Sequence, residues 1–222
     1  MKIVTSGIPN IEIGLIGNKN ISLYAVKGFI ELICWTGYFL YDDSYKLKEN
    51  KVVTNGCIDL WLEHDIAEDG SFYIPQPQVN AYFYLVEHQN RMKQIMTEAL
   101  KTAFPGLLAN EYASWDHNEP DFPKLSDLTP SFDFKNYLGP ESISIGADVK
   151  DDHAYVTWHF SCSWDPEHEM EAITHKDRIL DIAPNADIWK IYKDNGTYEQ
   201  VREADKTKVW NVPKKKKWWQ FW

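Results

Sequence analysis

The chain has 222 residues, of which 44% are hydrophobic and 25% are charged. These proportions are ordinary for a globular domain, and they exclude an intrinsically disordered or fibrous chain. Residues 1–205 hold all 33 acidic residues but only 17 of the 23 basic ones, so this part carries a net charge of −16. Such a surface repels phosphate backbones, which argues against nucleic-acid binding, and it attracts basic partners. Solubility alone is the alternative explanation of the charge.

The cysteines and the apolar runs point to a reducing compartment. Cys34, Cys57 and Cys162 are the three cysteines, and no pair has the CxxC spacing. This number and spacing predict neither a disulfide framework nor a zinc ribbon, and Cys34 and Cys162 lie in apolar runs typical of core residues. The first residues have no apolar stretch typical of a signal peptide, and the longest apolar run, residues 29–41, is too short to span a bilayer. We therefore expect a cytoplasmic protein without a transmembrane segment.

Alternating apolar residues predict strands in the first third of the chain. Ile11, Ile13 and Leu15 alternate with other residues, and a second alternating run contains Ile58 and Leu60. A period of two is typical of a strand with one buried face. We treat residues 1–75 as an N-terminal β-rich segment.

One long amphipathic helix is predicted over about residues 79–104. Its apolar residues recur at helical spacing: Leu85, Met92, Ile95, Met96, Ala99, Leu100 and Ala103. We interpret Met92 and Met96 as core packing rather than as a binding groove. Pro105 and Gly106 are expected to end this helix, because proline cannot continue it.

Residues 105–140 contain five prolines and are predicted to be rich in loops. Thr129 and Pro130 fit the first positions of a short helix, which would end at Leu138 with Gly139 after it. A loop of this length in a globular domain is often functional.

The last third predicts an antiparallel meander. The clearest alternation places one set of side chains on the core and the other toward solvent: Ala154, Val156, Trp158, Phe160, Cys162 and Trp164 inward, and Tyr155, Thr157, His159, Ser161 and Ser163 outward. Asp194-Asn195-Gly196 predicts a further hairpin, between residues 188–193 and 197–201. The fold class is therefore α+β: a mostly antiparallel sheet with one long helix packed on it. Residues 76–204 would hold the helix and the meander, in the same domain as residues 1–75 or in one packed closely on it, and residues 205–222 would form a basic-aromatic tail.

A short motif at the end of the predicted central strand carries a resemblance. Trp164, Asp165, Glu167 and His168 match the pattern Trp-Asp-x-Glu-His-Gly-Leu-Gly. In this motif, and over about residues 56–195, the chain resembles an uncharacterised bacterial family, domain of unknown function 6985. Where that pattern has Gly-Leu-Gly, this chain has Glu-Met-Glu at residues 169–171. The resemblance implies a fold and no established activity.

The same motif is the first candidate for chemistry. Asp165, Glu167 and His168 lie in one predicted turn and could converge on a metal, with further ligands from residues 116–119. The chain has neither an HExxH sequence nor two histidines at a fixed helical or strand spacing. We therefore expect no metal here, and a structural Asp165 that bonds amides within its own turn.

Other catalytic patterns are missing from the sequence. It contains no GxSxG motif, no glycine-rich phosphate loop, and no cysteine placed with a histidine on an exposed loop. We therefore assign no catalytic residue and no cofactor, and we leave enzymatic activity open but unfavoured.

The C-terminal tail combines four lysines at 214–217 with Trp218, Trp219, Phe221 and Trp222. Basic residues beside indole rings suit an anionic membrane surface. The favoured alternative is a tail that docks on its own acidic body or pairs between copies.

The function predicted from these patterns is macromolecular binding by an acidic protein. A basic protein is the expected partner, for example a toxin that an immunity-like protein neutralises. The predicted binding residues are Trp164, Asp165, Glu167, His168, Glu169 and Glu171. A metal-dependent hydrolase that uses the turn at 165–168, or an assembly module that uses the tail, are the alternatives. The oligomeric state stays open.

Overall fold

A computed structural model describes residues 3–4, 7–16, 23–41, 51–63, 72–114, 116, 118, 120–165 and 169–207. Eleven strands are present in this part of the chain: β1 (Ile3–Val4), β2 (Ile11–Ile16), β3 (Leu23–Glu31), β4 (Phe39–Tyr41), β5 (Lys51–Val53), β6 (Cys57–Leu62), β7 (Phe72–Tyr73), β8 (Leu138–Lys150), β9 (His153–Cys162), β10 (Met170–His175) and β11 (Arg178–Ala183). The helices are α1 (Gln76–Glu87), α2 (Gln89–Asn110), α3 (Trp189–Asp194) and α4 (Tyr198–Thr207). The described residues also form three short 3₁₀ helices, at Ile33–Trp35, Leu125–Asp127 and Phe134–Asn136.

Seven of the strands form one sheet in the order β11-β10-β9-β8-β6-β3-β2. All neighbours in it are antiparallel except β6 and β8, which run parallel and pair Leu60 with Ile143. The segment 63–137, with α1 and α2, makes the long crossover that a parallel connection requires. The predicted α+β fold with a mostly antiparallel sheet is confirmed. Strands from residues 1–75 and from residues 76–204 lie in this one sheet, and the proposed domain limits stay a prediction.

The helical layer covers one face of the sheet. Helix α1 packs against β8 and β9, and α2 packs against β11. Between the layers lies a large core with several aromatic rings, including Trp35, Trp158, Phe160, Phe104 and Trp164. Met92 and Met96 are 0% and 2% exposed, which confirms their assignment to core packing.

The single predicted helix over 79–104 is wrong in its limits. The backbone breaks at His88 (φ −109°, ψ 18°), which separates α1 from α2, and α2 continues through Pro105 to Asn110. Proline inside a helix costs about 3 kcal/mol. Leu107 and Leu108 beyond it are both buried, and their burial offsets that cost, since a fully buried leucine contributes about 2 kcal/mol.

The predicted hairpin at 188–201 is also wrong, because both of its arms are helical. The turn at Asn195 and Gly196 is present, with Gly196 at φ 81°. However, the side-chain oxygen of Asn195 accepts hydrogen bonds from the amide and the hydroxyl of Thr197, at 3.0 and 2.6 Å. These bonds satisfy groups at the start of α4, so the turn leads into a helix rather than a strand.

The short helix predicted from Thr129 to Leu138 is reduced to the 3₁₀ turn Phe134–Asn136. Asp133 starts that turn by accepting a bond from the amide of Lys135 at 3.1 Å. Leu138 and Gly139 instead begin β8, where a side chain on Gly139 would collide with the main-chain oxygen of Phe39. Glycine at 139 therefore permits β4 to approach β8 closely.

Only one end of the opposite sheet face is covered by a described helix. Tyr155, Ile173 and Ile191 form a second, small apolar cluster there, which holds α3 on the sheet. The alternation predicts that Tyr155, Ser161 and Ser163 face solvent, which is wrong: they are 1%, 1% and 2% exposed, and α3 lies over Tyr155.

Candidate functional site

The rest of that second face forms the open sheet face. It consists of outward side chains on five strands and the residue after β6: Lys27, Phe29, Glu31, Cys57, Asp59, Trp61, Glu63, Ser142, Ser144, Thr157, His159 and Glu171. All twelve are exposed or half-buried. Within the part of the chain that the structure describes, no helix lies over them. Alternation correctly predicted that Thr157 and His159 point away from the core.

Strand register arranges part of the open sheet face in a first row. Lys27 pairs with Trp61, Trp61 with Ser144, and Ser144 with Thr157. The Nζ atom of Lys27 lies 4.2 Å from the centroid of the Trp61 ring, a cation–π contact. This contact holds the indole in place across two strands.

A second row runs beside the first. Phe29 pairs with Asp59, Asp59 with Ser142, Ser142 with His159, and His159 with Glu171. A depression of about 530 Å³ lies where the two rows reach β3 and β6, with Lys27, Phe29, Asp59 and Trp61 in its lining. An aromatic floor and a carboxylate are thus available to a ligand at this end.

Three side chains of the open sheet face form a continuous polar line, which we call the Ser–His–Glu line. The Oγ atom of Ser144 lies 3.5 Å from Nε2 of His159, and Nδ1 of His159 lies 3.3 Å from Oε1 of Glu171. The other oxygen of Glu171 accepts a hydrogen bond from the amide of Ala186 at 3.0 Å. The carboxylate is therefore held by main chain on one side and meets the imidazole on the other.

No pattern in the sequence predicts the Ser–His–Glu line. Ser144 and His159 are 15 residues apart and belong to different strands. Alternation can place each on the outward face, but only the register of β8, β9 and β10 brings them together. No short motif encodes such a register.

The residues predicted to bind a partner lie in different environments. Trp164 is 2% exposed and packs against Phe104 and Phe134, with ring centroids 5.1 and 6.5 Å apart. Asp165 is also 2% exposed. Glu169 is half-buried, and Glu171 belongs to the open sheet face. Glu167 and His168 lie outside the described residues, and the binding role of the set stays a prediction.

The turn that carries the motif is closed by main-chain bonds. The carbonyl oxygen of Asp165 accepts a bond from the amide of Glu169 at 3.3 Å and another from the thiol of Cys162 at 3.3 Å. Glu169 has φ 61°, the left-handed conformation that favours glycine, at the position where the motif pattern has its first glycine. The chain thus keeps a glycine-like backbone there without the glycine.

The second set of candidate metal ligands is only partly described. The carboxylate of Asp116 accepts bonds from the amide and side chain of Asn118, at 3.0 and 3.1 Å, and His117 and Glu119 lie outside the described residues. Where side chains are described, no three His, Cys, Asp or Glu residues are grouped to hold a metal ion. The helices of the same residues include none with the length and apolar character to cross a membrane.

Neither Cys34 nor Cys162 presents a reactive thiol. Cys162 is buried in the core, as predicted. Cys34 is half-buried, its thiol donates to the carbonyl of Gln89 at 3.3 Å, and burial raises its pKa to about 11. At neutral pH this thiol stays protonated and is a poor nucleophile.

The family model described as a domain of unknown function, DUF6985, matches residues 35–189, which include most of the sheet and both long helices. The chain belongs to the DUF6985 family. This membership confirms the resemblance that the motif indicated. No curated protein and no solved structure matches the chain.

Proposed function

We propose that this DUF6985 protein binds a basic protein through its open sheet face. The observation that carries the proposal is the combination of uncovered aromatic rings and carboxylates on adjacent strands. A sheet face that no described helix covers, yet contains Trp61 and Phe29, differs from a purely solvated face, which would be polar throughout.

Charge on this face favours a cationic partner. Glu31, Asp59, Glu63 and Glu171 are its carboxylates, against the single lysine Lys27. The ammonium group of Lys27 is already engaged with the indole of Trp61. The face therefore has a net negative charge, in a chain whose total charge is −10. Opposite charge on a partner would raise the rate of encounter.

Aromatic side chains would supply the binding energy. Tightly bound interfaces concentrate their energy in a few aromatic or arginine side chains, surrounded by polar groups that exclude water. Trp61 is half-buried, is oriented by Lys27, and has Asp59 beside it on the same strand. An arginine-rich or lysine-rich surface could stack on this ring and pair with the acids around it.

Neutralisation of a toxin is one role that fits this chemistry. Proteins that cut nucleic acids are commonly basic, because they must approach phosphates. An acidic protein that covers such a surface would act as an immunity-like inhibitor. Three cysteines without a disulfide framework are compatible with a cytoplasmic setting for that role.

Two triple charge-reversal variants, one on the open sheet face and one on the helical layer, test the proposal. The full-length protein, a Glu31→Lys/Asp59→Lys/Glu63→Lys variant and a control variant are immobilised and exposed to lysate of the native host. The control carries Glu87→Lys, Glu98→Lys and Glu111→Lys, three exposed acids of the helical layer. Both variants change the net charge equally, so only the position of the charges differs.

We expect a basic protein that the wild type and the control retain and the open-face variant loses. Its association rate constant should fall steeply between about 0.05 and 0.5 M salt, since the Debye length shrinks from about 14 to 4 Å. Equal capture by all three proteins, or a rate independent of salt, would contradict binding through this face.

A further inference from the structure

The Ser–His–Glu line has the order of groups found in hydrolases that use a serine nucleophile. We propose that Ser144, His159 and Glu171 form a catalytic site for the hydrolysis of carboxylic esters. Such sites are recognised by geometry and by the role of each group, since the same constellation occurs on unrelated folds and in different chain orders. This proposal rests on other observations than the binding proposed above, although Glu171 and Trp61 take part in both.

Each group stands where its role requires. The Oγ atom of Ser144 is 3.5 Å from Nε2 of His159, longer than the roughly 2.6–3.2 Å of a formed catalytic contact, which such pairs commonly reach only when substrate binds. The Glu171 carboxylate, 3.3 Å from Nδ1, favours the tautomer with its proton on that nitrogen, which leaves Nε2 free to accept the serine proton. The amide of Ala186 fixes the other carboxylate oxygen at 3.0 Å, so Glu171 is a positioning residue.

Other described histidines have different surroundings. His175 is 2% exposed and is bonded to the carbonyl of Lys150 and to Arg178. His153 is bonded to a main-chain carbonyl, and His88 packs on the ring of Tyr84. Among the histidines in the described residues, His159 alone has a serine hydroxyl at one nitrogen and a carboxylate at the other.

The reaction balances with water as the only co-substrate. Ser144 Oγ bonds to the ester carbonyl carbon while its proton moves to Nε2 of His159. The bond from that carbon to the leaving oxygen then breaks, and the alcohol departs with the proton from Nε2, which leaves an acyl ester on Ser144. Water next attacks this ester and gives its proton to Nε2. The acyl–oxygen bond breaks, Ser144 regains a proton, and the carboxylic acid leaves.

The substrate class follows from the neighbours of Ser144. The half-buried ring of Trp61 lies beside Ser144 on the next strand, so an acyl or aryl group can rest against the indole while the carbonyl faces Oγ. The Ser–His–Glu line supplies the Ser144 nucleophile and the His159 base that activates it. Esters with a good leaving group depend least on stabilisation of the tetrahedral oxyanion, so aryl esters are the expected substrates.

The test uses two probes on the full-length protein: p-nitrophenyl acetate for turnover and a fluorophosphonate for covalent labelling, with peptide mapping of the adduct. The variants are Ser144→Ala, His159→Gln and Glu171→Gln. Ser126→Ala is the control, because Ser126 is an exposed serine that does not belong to the open sheet face. Circular dichroism confirms that each variant is folded.

We expect the adduct on Ser144 in the wild type and in Ser126→Ala. Turnover should be at least about 100-fold lower in Ser144→Ala and His159→Gln, the range that nucleophile and base contribute. Glu171→Gln should lower kcat with KM unchanged, which a purely structural role would not do. A wild-type protein without adduct on Ser144, or a Ser144→Ala protein with wild-type turnover, would overturn the proposal.

Discussion

Replacing Asp194 by alanine should cost about 3 kcal/mol of unfolding free energy. Asp194 is the last residue of α3, and its carboxylate accepts two bonds from Arg178, at 2.8 and 2.9 Å, and one from the Tyr155 hydroxyl at 2.8 Å. Lys150 approaches the same carboxylate at 3.1 Å. The Asp194 side chain thus connects α3 to β8, β9 and β11.

The magnitude comes mainly from the tyrosine. Tyr155 is 1% exposed, and a buried hydroxyl left without a partner costs about 1 to 3 kcal/mol. The side chain of Arg178 is 48% exposed and that of Lys150 is 31% exposed, so solvent screens both ion pairs and each contributes about 0.5 kcal/mol. Together these contributions amount to about 3 kcal/mol.

Urea unfolding followed by circular dichroism measures this cost, with Tyr155→Phe as the control. That variant removes one bond and leaves the ion pairs, so about 1 kcal/mol is expected. A loss below 1 kcal/mol in Asp194→Ala, at unchanged m-value, would show that this carboxylate does not hold α3 on the sheet.

The same network predicts an acid-sensitive stability. Hydrogen bonds from Arg178 hold the pKa of Asp194 well below its usual range. A carboxyl whose pKa is lower in the folded state stabilises the fold above the unfolded pKa, near 4, and loses that contribution as the pH falls below it. The difference in stability between the wild type and Asp194→Ala should therefore shrink between pH 5 and about pH 2.

Two further predictions concern a buried histidine and two glycines. Burial lowers the pKa of His175, so the folded state binds fewer protons there than the unfolded state, and unfolding free energy should fall as pH drops below about 6.5; His175→Gln should flatten that part of a urea-denaturation pH series. Gly139→Ala should destabilise by about 1 to 3 kcal/mol because of the main-chain oxygen of Phe39. Gly106→Ala meets open space inside α2 and should stabilise by about 0.5 to 1 kcal/mol, so thermal melts of the two alanine variants should shift in opposite directions.

The sequence predicts local features of this fold well. Period-two alternation places Trp158 inward and His159 outward, because a strand alternates faces whatever its partner is. The same alternation included Trp164 in the inward set, and that placement is confirmed by its 2% exposure. The short motif around Trp164 also predicts a binding residue; that role stays a prediction, and the tryptophan itself packs on Phe104 in the core.

Features that depend on distant residues could not be predicted. Asp194-Asn195-Gly196 is typical of a hairpin, yet Asn195 ends α3 and its side chain bonds Thr197, the residue before α4. Leu107 and Leu108 continue the apolar pattern beyond Pro105 and are compatible with a longer α2. The sequence does not show that their burial is strong enough to offset the cost of a proline inside the helix. The Ser–His–Glu line needs the register of three strands, and long-range register is set by how the whole sheet packs.

Glu171 lies in both proposed activities, and one substitution separates them. Glu171→Gln keeps the shape of the side chain and an oxygen that can accept from the Ala186 amide, but it removes one negative charge and the carboxylate at Nδ1 of His159. A unit charge about 10 Å from a partner's charge contributes about 0.4 kcal/mol in water, so association with a basic partner should slow by about twofold. Acylation of Ser144 should fall at least tenfold, because the imidazole loses the group that sets its tautomer and stabilises its positive charge.

Stopped-flow association and fluorophosphonate labelling of one preparation measure both effects. Equal labelling rates in wild type and Glu171→Gln would remove the carboxylate from the catalytic proposal, whereas loss of binding with labelling intact would make Glu171 an interface residue only.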